Sequence, residues 1–162
     1  ERINRVLPDG LKFTALVTLS EHSPTLAKII NRAEYRIEVS APELRSAVDR
    51  LSYSSRADAH RKLIADFMAQ ESFFVERTRK NRAQRVNLRE FVKSLSFEET
   101  VEGDFLVMQV ELGTQGGAKP AEIAAAVYGI DEAKQASLQS RVRRSRLYSE
   151  MDGRTYSLLE LR

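Results

Sequence analysis

Four arginines fall within the six positions from Arg141 to Arg146: Arg141, Arg143, Arg144 and Arg146. A second basic run, from Arg77 to Arg89, holds Arg77, Arg79, Lys80, Arg82, Arg85 and Arg89, and neither run contains an acid. The guanidinium is a planar fork that engages two phosphate oxygens at once, so arginine clusters suit a polyanionic partner. The formal net charge is only +3, from 26 basic and 23 acidic residues. Outside the two runs 16 basic residues face 23 acidic ones, so the positive charge is localised. A localised patch sets up an attractive field for an anion. The candidate phosphate contacts are therefore Arg79, Lys80, Arg82, Arg85, Arg141, Arg143, Arg144 and Arg146. The competing reading is a set of solvated strands and turns whose arginines pair with nearby acids. What separates the two is whether folding gathers both runs onto one surface.

No constellation for catalysis stands beside them. Zero cysteines exclude disulfides, thiolate catalysis and a Cys-ligated zinc or iron–sulfur centre held by this segment. Two histidines, His22 and His60, are too few for a multi-histidine metal site. His60 shares a helical face with Leu63, Ile64 and Phe67, which reads as a core histidine with a satisfied ring, not a general base. Glu98 and Glu99 are adjacent on a strand-like segment and point to opposite sides, which argues against a shared acid–base pair. The stretch Gly113 to Pro120, "GTQGGAKP", fails as a phosphate loop: Ala118 replaces the required second glycine, and Pro120 follows Lys119. It reads as a flexible entry to a helix begun by proline.

At 162 residues with 42% apolar content, the chain suits one compact domain with a real core. No apolar run approaches the roughly 20 residues that span a bilayer, and the start has no signal-peptide core. A cytoplasmic location is the expectation. The chain lacks an initiator Met and opens inside a helix-like stretch, which predicts a piece of a longer protein.

Several elements must hold these residues in place. Pro8-Asp9-Gly10 stops an initial helix, and "LKFTALVTL", residues 11–19, reads as a strand. A short helix follows Ser23-Pro24. "EYRIEVS" alternates Tyr35, Ile37 and Val39 against Arg36 and Glu38, the mark of a half-buried strand. Pro42 opens a helix carrying Leu44, Ala47, Val48 and Leu51, and Ser55 with Asp58 forms the N-cap of the next. "ESFFVERT" is a strand whose two phenylalanines read as core, the alternative being that Phe73 or Phe74 adds base stacking alongside Tyr148, and "RKNRAQ" is a polar turn. Asn87 and Glu90 fit a capping pair. "SLSFEETV" and "FLVMQVEL" make a hairpin with Leu106, Met108, Val110 and Leu112 as core. A helix ends at Gly129, and Asp152-Gly153 joins a last hairpin. Simple alternation then sets Val142, Arg144, Arg146 and Tyr148 against Arg141, Arg143, Ser145 and Leu147.

The order predicts an α+β fold: a ferredoxin-like (βαββαβ-type) sheet with helices on one face, elaborated, plus a C-terminal hairpin. Residues 1–33 read as the remnant of a preceding subdomain with a connecting helix, and residues 34–162 as the ferredoxin-like domain.

"LPDGLKF", "SPTLAKIINRAEYRIEV", "RVNLREFVKSL", "GGAKPAEIAAAVYGI" and "RVRRSRLYSE" occur in that order. Together they resemble the C-terminal part of the radical-SAM-linked domain of unknown function, a bacterial family found alone or fused to a cobalamin-binding radical SAM module. The resemblance implies an accessory domain with no cofactor of its own; an iron–sulfur cluster, S-adenosylmethionine and cobalamin would belong to the parent or partner. It also implies RNA as a partner, alongside the radical SAM module in cis or in trans. Asn87 stands where that family's pattern often has Asp. The functional expectation is a non-catalytic domain that binds RNA or another polyanion through its arginines. The alternative is a protein-interaction or scaffold domain docking on the radical SAM partner, motivated by the exposed strand at 11–19.

Overall fold

The computed structural model describes residues 2–16, 18, 21–22, 24–79, 82–113 and 117–157, with only the backbone of Arg79. A 3-10 turn at Ile3–Arg5 and helix α1 (Leu26–Ile29) precede strand β1 (Arg32–Glu38). Helices α2 (Pro42–Asp49) and α3 (Arg56–Met68) follow, then a ribbon of β2 (Phe74–Arg79) and β3 (Arg82–Asn87). The one-turn helix α4 (Leu88–Phe91) leads into β4 (Val92–Thr100) and β5 (Gly103–Glu111). Helices α5 (Pro120–Tyr128) and α6 (Glu132–Gln139) precede β6 (Arg143–Met151) and β7 (Arg154–Ser157).

Five strands form a curled antiparallel sheet in the order β4-β5-β1-β6-β7, and β2 with β3 forms a separate two-stranded sheet. This is a mixed α and β fold. Strand alternation puts Ile37, Leu106, Met108 and Val110 on one face of the main sheet, all essentially inaccessible. They share a core with Leu44 and Val48 of α2, Ile64 and Phe67 of α3, and Ile123 and Val127 of α5. Burying a side chain of this size contributes roughly 1.5–3 kcal/mol, so this layer dominates the stability of the fold.

Local signals explain most boundaries. Ser55 caps α3 by accepting the Asp58 backbone N–H at 3.1 Å. Asn87 caps α4 through Arg89 N–H at 3.2 Å and donates to Glu90 at 3.1 Å, the pairing its spacing predicts. Gly129 ends α5 in the left-handed region at φ 59°, and Asp152 and Gly153 both take positive φ in the two-residue β6–β7 turn.

Several expectations change. Leu51 lies beyond α2 and is 37% exposed, Leu112 lies beyond β5 and is half-buried, and β3 already begins at Arg82 inside the stretch read as a turn. Residues 11–16 and 18 form no strand; residues 17 and 19 lie outside the described residues. Leu11, Phe13 and Leu16 are exposed there, because strand propensity makes no ladder without a partner edge. Helix α6 was not anticipated: only Leu138 of its eight residues is buried, so it carries almost no apolar period. Phe73 packs against Phe67, but Phe74 points outward and is 46% exposed. The last change is a bulge. Glu34 pairs with Arg146 but Tyr35 pairs with Arg144, so Ser145 is an extra residue. Opposed residues share a face, so Arg144 lies on the side of Tyr35 while Arg146 and Tyr148 lie on the side of Glu34. Simple alternation had put all three together. Among the described residues, no helix is long and apolar enough to cross a membrane.

Candidate nucleic-acid interface

The first basic run builds the β2–β3 ribbon. Register sets Val75 against Val86 and Arg77 against Gln84 on one face, and Glu76 against Arg85 and Phe74 against Asn87 on the other. Val86 is buried and Phe74 and Arg85 are exposed, so the first face is turned inward and the second outward. The inward face docks on α5. Arg77 Nε lies 2.9 and 3.1 Å from the two Glu122 carboxylate oxygens, and its terminal nitrogen also binds one of them. Glu122 is 6% exposed and also accepts the Lys119 backbone N–H at 3.3 Å, so one carboxylate caps the helix and anchors the ribbon.

Arg89, at the far end of the run, is equally committed. Its guanidinium donates to the Gln70 carbonyl at 3.0 Å, the Met68 carbonyl at 3.3 Å and the Val92 carbonyl at 3.4 Å. It thereby satisfies carbonyls at the C-terminus of α3, where a cation also complements the helix dipole. Two of the six basic residues are thus structural. Arg82 and Arg85 are exposed, and no ion pair engages either among the described residues. Arg85 instead stacks on Phe74, its guanidinium carbon 3.8 Å from the ring centroid. The backbone of Arg79 pairs with Arg82 at the ribbon end, and Lys80 lies outside the described residues.

The second run sits on the other sheet. Arg143 opposes Arg36 and Arg146 opposes Glu34, on the face of the main sheet away from the core. That face holds a polar network. Glu34, 6% exposed, accepts from the Ser145 hydroxyl at 2.7 Å and the Tyr148 hydroxyl at 3.2 Å. Arg36 donates to Glu98 at 3.0 Å. Hydrogen bonding of the Arg146 guanidinium to the Tyr148 oxygen, with the field of Tyr148, Glu34 and Glu98, raises the pKa of Arg146. Arg144 lies on the opposite face from Arg143 and Arg146, and Arg141 is exposed just beyond α6, near Glu43. No hydrogen bond or ion pair among the described residues joins the two runs.

The network residues Glu34, Arg36 and Tyr148 were not singled out from sequence as a group. Alternation placed Arg36 outward, but only the pairing of β1 with β6 and of β5 with β4 brings Ser145, Tyr148 and Glu98 to it.

The remaining candidates have structural tasks. His60 is 4% exposed, shares a 2.8 Å hydrogen bond with the Tyr128 hydroxyl and stacks on Phe97 at 4.7 Å. Burial lowers its pKa, so the ring is neutral. Glu98 and Glu99 do diverge, the first to Arg36 and the second to Arg61. Of the glycine-rich loop, residues 114–116 lie outside the described residues. Among the described residues no group of three or more His, Asp or Glu could hold a metal ion. A groove of about 840 Å³ runs between β2 and helices α5 and α6, with Val75, Thr78, Ala125, Ile130, Gln135 and Gln139 among its lining.

Fold and site together define an α+β domain with a basic, exposed ribbon and a polar sheet face. Residues 1–120 match the family described as "Uncharacterized protein conserved in bacteria (DUF2344)", and the chain belongs to that family. No curated protein and no solved structure matches the chain significantly.

Proposed function

We propose that this domain is a non-catalytic accessory module that binds RNA or another polyanionic substrate through an arginine-rich surface. The β2–β3 ribbon is its principal contact. One observation carries this reading: Arg77 and Arg89 fasten the ribbon to α5 and α3, while Arg82 and Arg85 between them stay exposed with no ion pair among the described residues. Arg146 on the main sheet is a weaker candidate, because Glu34 and Glu98 offset its charge, and Arg143 lies on the same face opposite Arg36. The proposed system is a radical SAM enzyme acting in cis or in trans in the cytoplasm, holding its own iron–sulfur cluster, S-adenosylmethionine and cobalamin. Support for that link is the ordered set of segments quoted above. A ferredoxin-like topology belongs to the same proposal, with β4-β5-β1-β6 as its four-stranded sheet and the ribbon and β7 as elaborations. So does the division of the chain at residue 33.

Filter binding against a structured RNA across a salt series tests the proposal. The expected result is affinity that falls steeply with salt. Each phosphate contact removed, as in Arg82→Ala or Arg85→Ala, should flatten the logarithmic slope by roughly 0.7–0.9. Affinity indifferent to both salt and these substitutions rejects it.

The second reading is a docking module for the radical SAM partner. It draws on Ile3, Val6, Leu11, Phe13 and Leu16, five exposed apolar side chains in the first 16 residues. Co-purification with that partner in high salt, free of nucleic acid, favours it over the first.

A further inference from the structure

We propose that the outward face of the β2–β3 ribbon is a stacking platform for an unpaired nucleobase, which makes single-stranded RNA the preferred polyanion. The inference rests on the polyanion reading and narrows it. Consecutive phenylalanines divide their labour: Phe73 turns inward against Phe67, and Phe74 turns outward with 46% of its surface exposed. Lone exposed apolar side chains are ordinary on protein surfaces, but this ring is not alone. The Arg85 guanidinium carbon on the neighbouring strand lies 3.8 Å from its centroid, so a cation from β3 covers part of an aromatic surface from β2. The ribbon is held from behind by the Arg77–Glu122 pair, which fixes the stack relative to the body of the domain.

A stack of this kind has two uses for a flexible strand. The free surface of the guanidinium or ring takes the face of a base, an interaction open to every base because each has a π-face. The guanidinium carries its N–H groups in plane, so a cation lying over a ring can still bind a phosphate oxygen at its edge. Arg85 is exposed, makes no ion pair among the described residues, and has Glu76 opposite it on the same face. Arg82, paired with Arg79 at the ribbon end, lies on the alternate face of β3 from Arg85 and adds a separate exposed cation at the tip for a phosphate. In duplex RNA the bases are stacked within the helix and offer no face, so a paired strand can use only the phosphate contacts.

Fluorescence anisotropy with a labelled single-stranded 12-nucleotide RNA, the same strand annealed to its complement, and an abasic strand of equal length separates these contributions. The expected order is single strand bound more tightly than duplex or abasic strand. Phe74→Ala should weaken the single strand roughly tenfold, within the range one base–aromatic stack carries, with the salt slope and abasic affinity unchanged. Phe74→Tyr should retain wild-type affinity, and thermal melts of both variants control for folding. Equal binding of all three probes by the wild type, with Phe74→Ala neutral while Arg82→Ala still flattens the salt slope, overturns the stacking inference and leaves the polyanion reading standing. Absence of salt-dependent binding to any probe removes both.

Discussion

Arg77 spans the seam between the ribbon and helix α5 with its guanidinium doubly bonded to the Glu122 carboxylate, 2.9 and 3.1 Å from Nε. Neither side chain is more than one-sixth exposed. The basic residue that opens an acid-free run is therefore a fastener, and its charge is not available to a ligand.

Removing one partner leaves the other charge buried and unpaired. Arg77→Ala or Glu122→Ala should each cost about 3–5 kcal/mol in urea denaturation, while the Arg77→Met, Glu122→Leu double variant should recover most of the loss. Single variants indistinguishable from wild type would show that the ribbon does not depend on this pair.

Arg89 separates structure from binding within the same run. Arg89→Ala should destabilise the fold by roughly 1.5–3 kcal/mol, the range for hydrogen bonds to a charged group. Arg89→Lys should not restore it, because an ammonium cannot reach three carbonyls in a plane. Neither substitution should alter the salt slope of RNA binding measured below the melting range. Arg82→Ala should do the reverse, changing the slope and sparing stability.

His60 links stability to pH. Its burial lowers the folded pKa below the ordinary 6.5, against a smaller raising effect from Asp104 and with a further lowering from Arg56. The unfolded chain therefore binds a proton at a higher pH than the native one. The His60 contribution is fully present above about pH 6.5 and declines as pH falls from there toward the folded pKa. Urea midpoints measured from pH 7.5 to 5 should fall more steeply for the wild type than for His60→Gln. Parallel profiles would remove His60 as a source of the pH dependence.

The Glu34 network should behave as a unit. Ser145→Ala and Tyr148→Phe each remove a donor from a carboxylate that is almost wholly buried, at a cost of about 1–3 kcal/mol apiece. A double-mutant cycle should show coupling above 0.5 kcal/mol, since both hydroxyls serve one group. Strict additivity would mean that the two bonds act independently.

Local chemistry written in consecutive residues was legible without coordinates. Ser55 with Asp58, Asn87 with Glu90, Gly129 and Asp152-Gly153 act through neighbours a few positions apart, so their effect does not depend on the rest of the chain. The alternation that buries Ile37, Leu106, Met108 and Val110 and sends Glu98 and Glu99 apart is of the same kind, because the period of a strand is set by its backbone. Composition likewise settled the cysteine chemistry. What remained hidden depends on which segments meet. Residues 11–16 have strand-like residues and no ladder; α6 has a ladder of its own and almost no apolar period. Ser145 shifts the face of the residues beyond it through a bulge that exists only in its pairing with β1. The two basic runs read alike in one dimension. Tertiary contacts alone divide the first of them into Arg77 and Arg89, spent on Glu122 and on backbone carbonyls, and Arg82 and Arg85, left exposed. Charge is a property of the residue, but its availability is a property of what lies within a few ångströms of it, and that distance is decided by the fold.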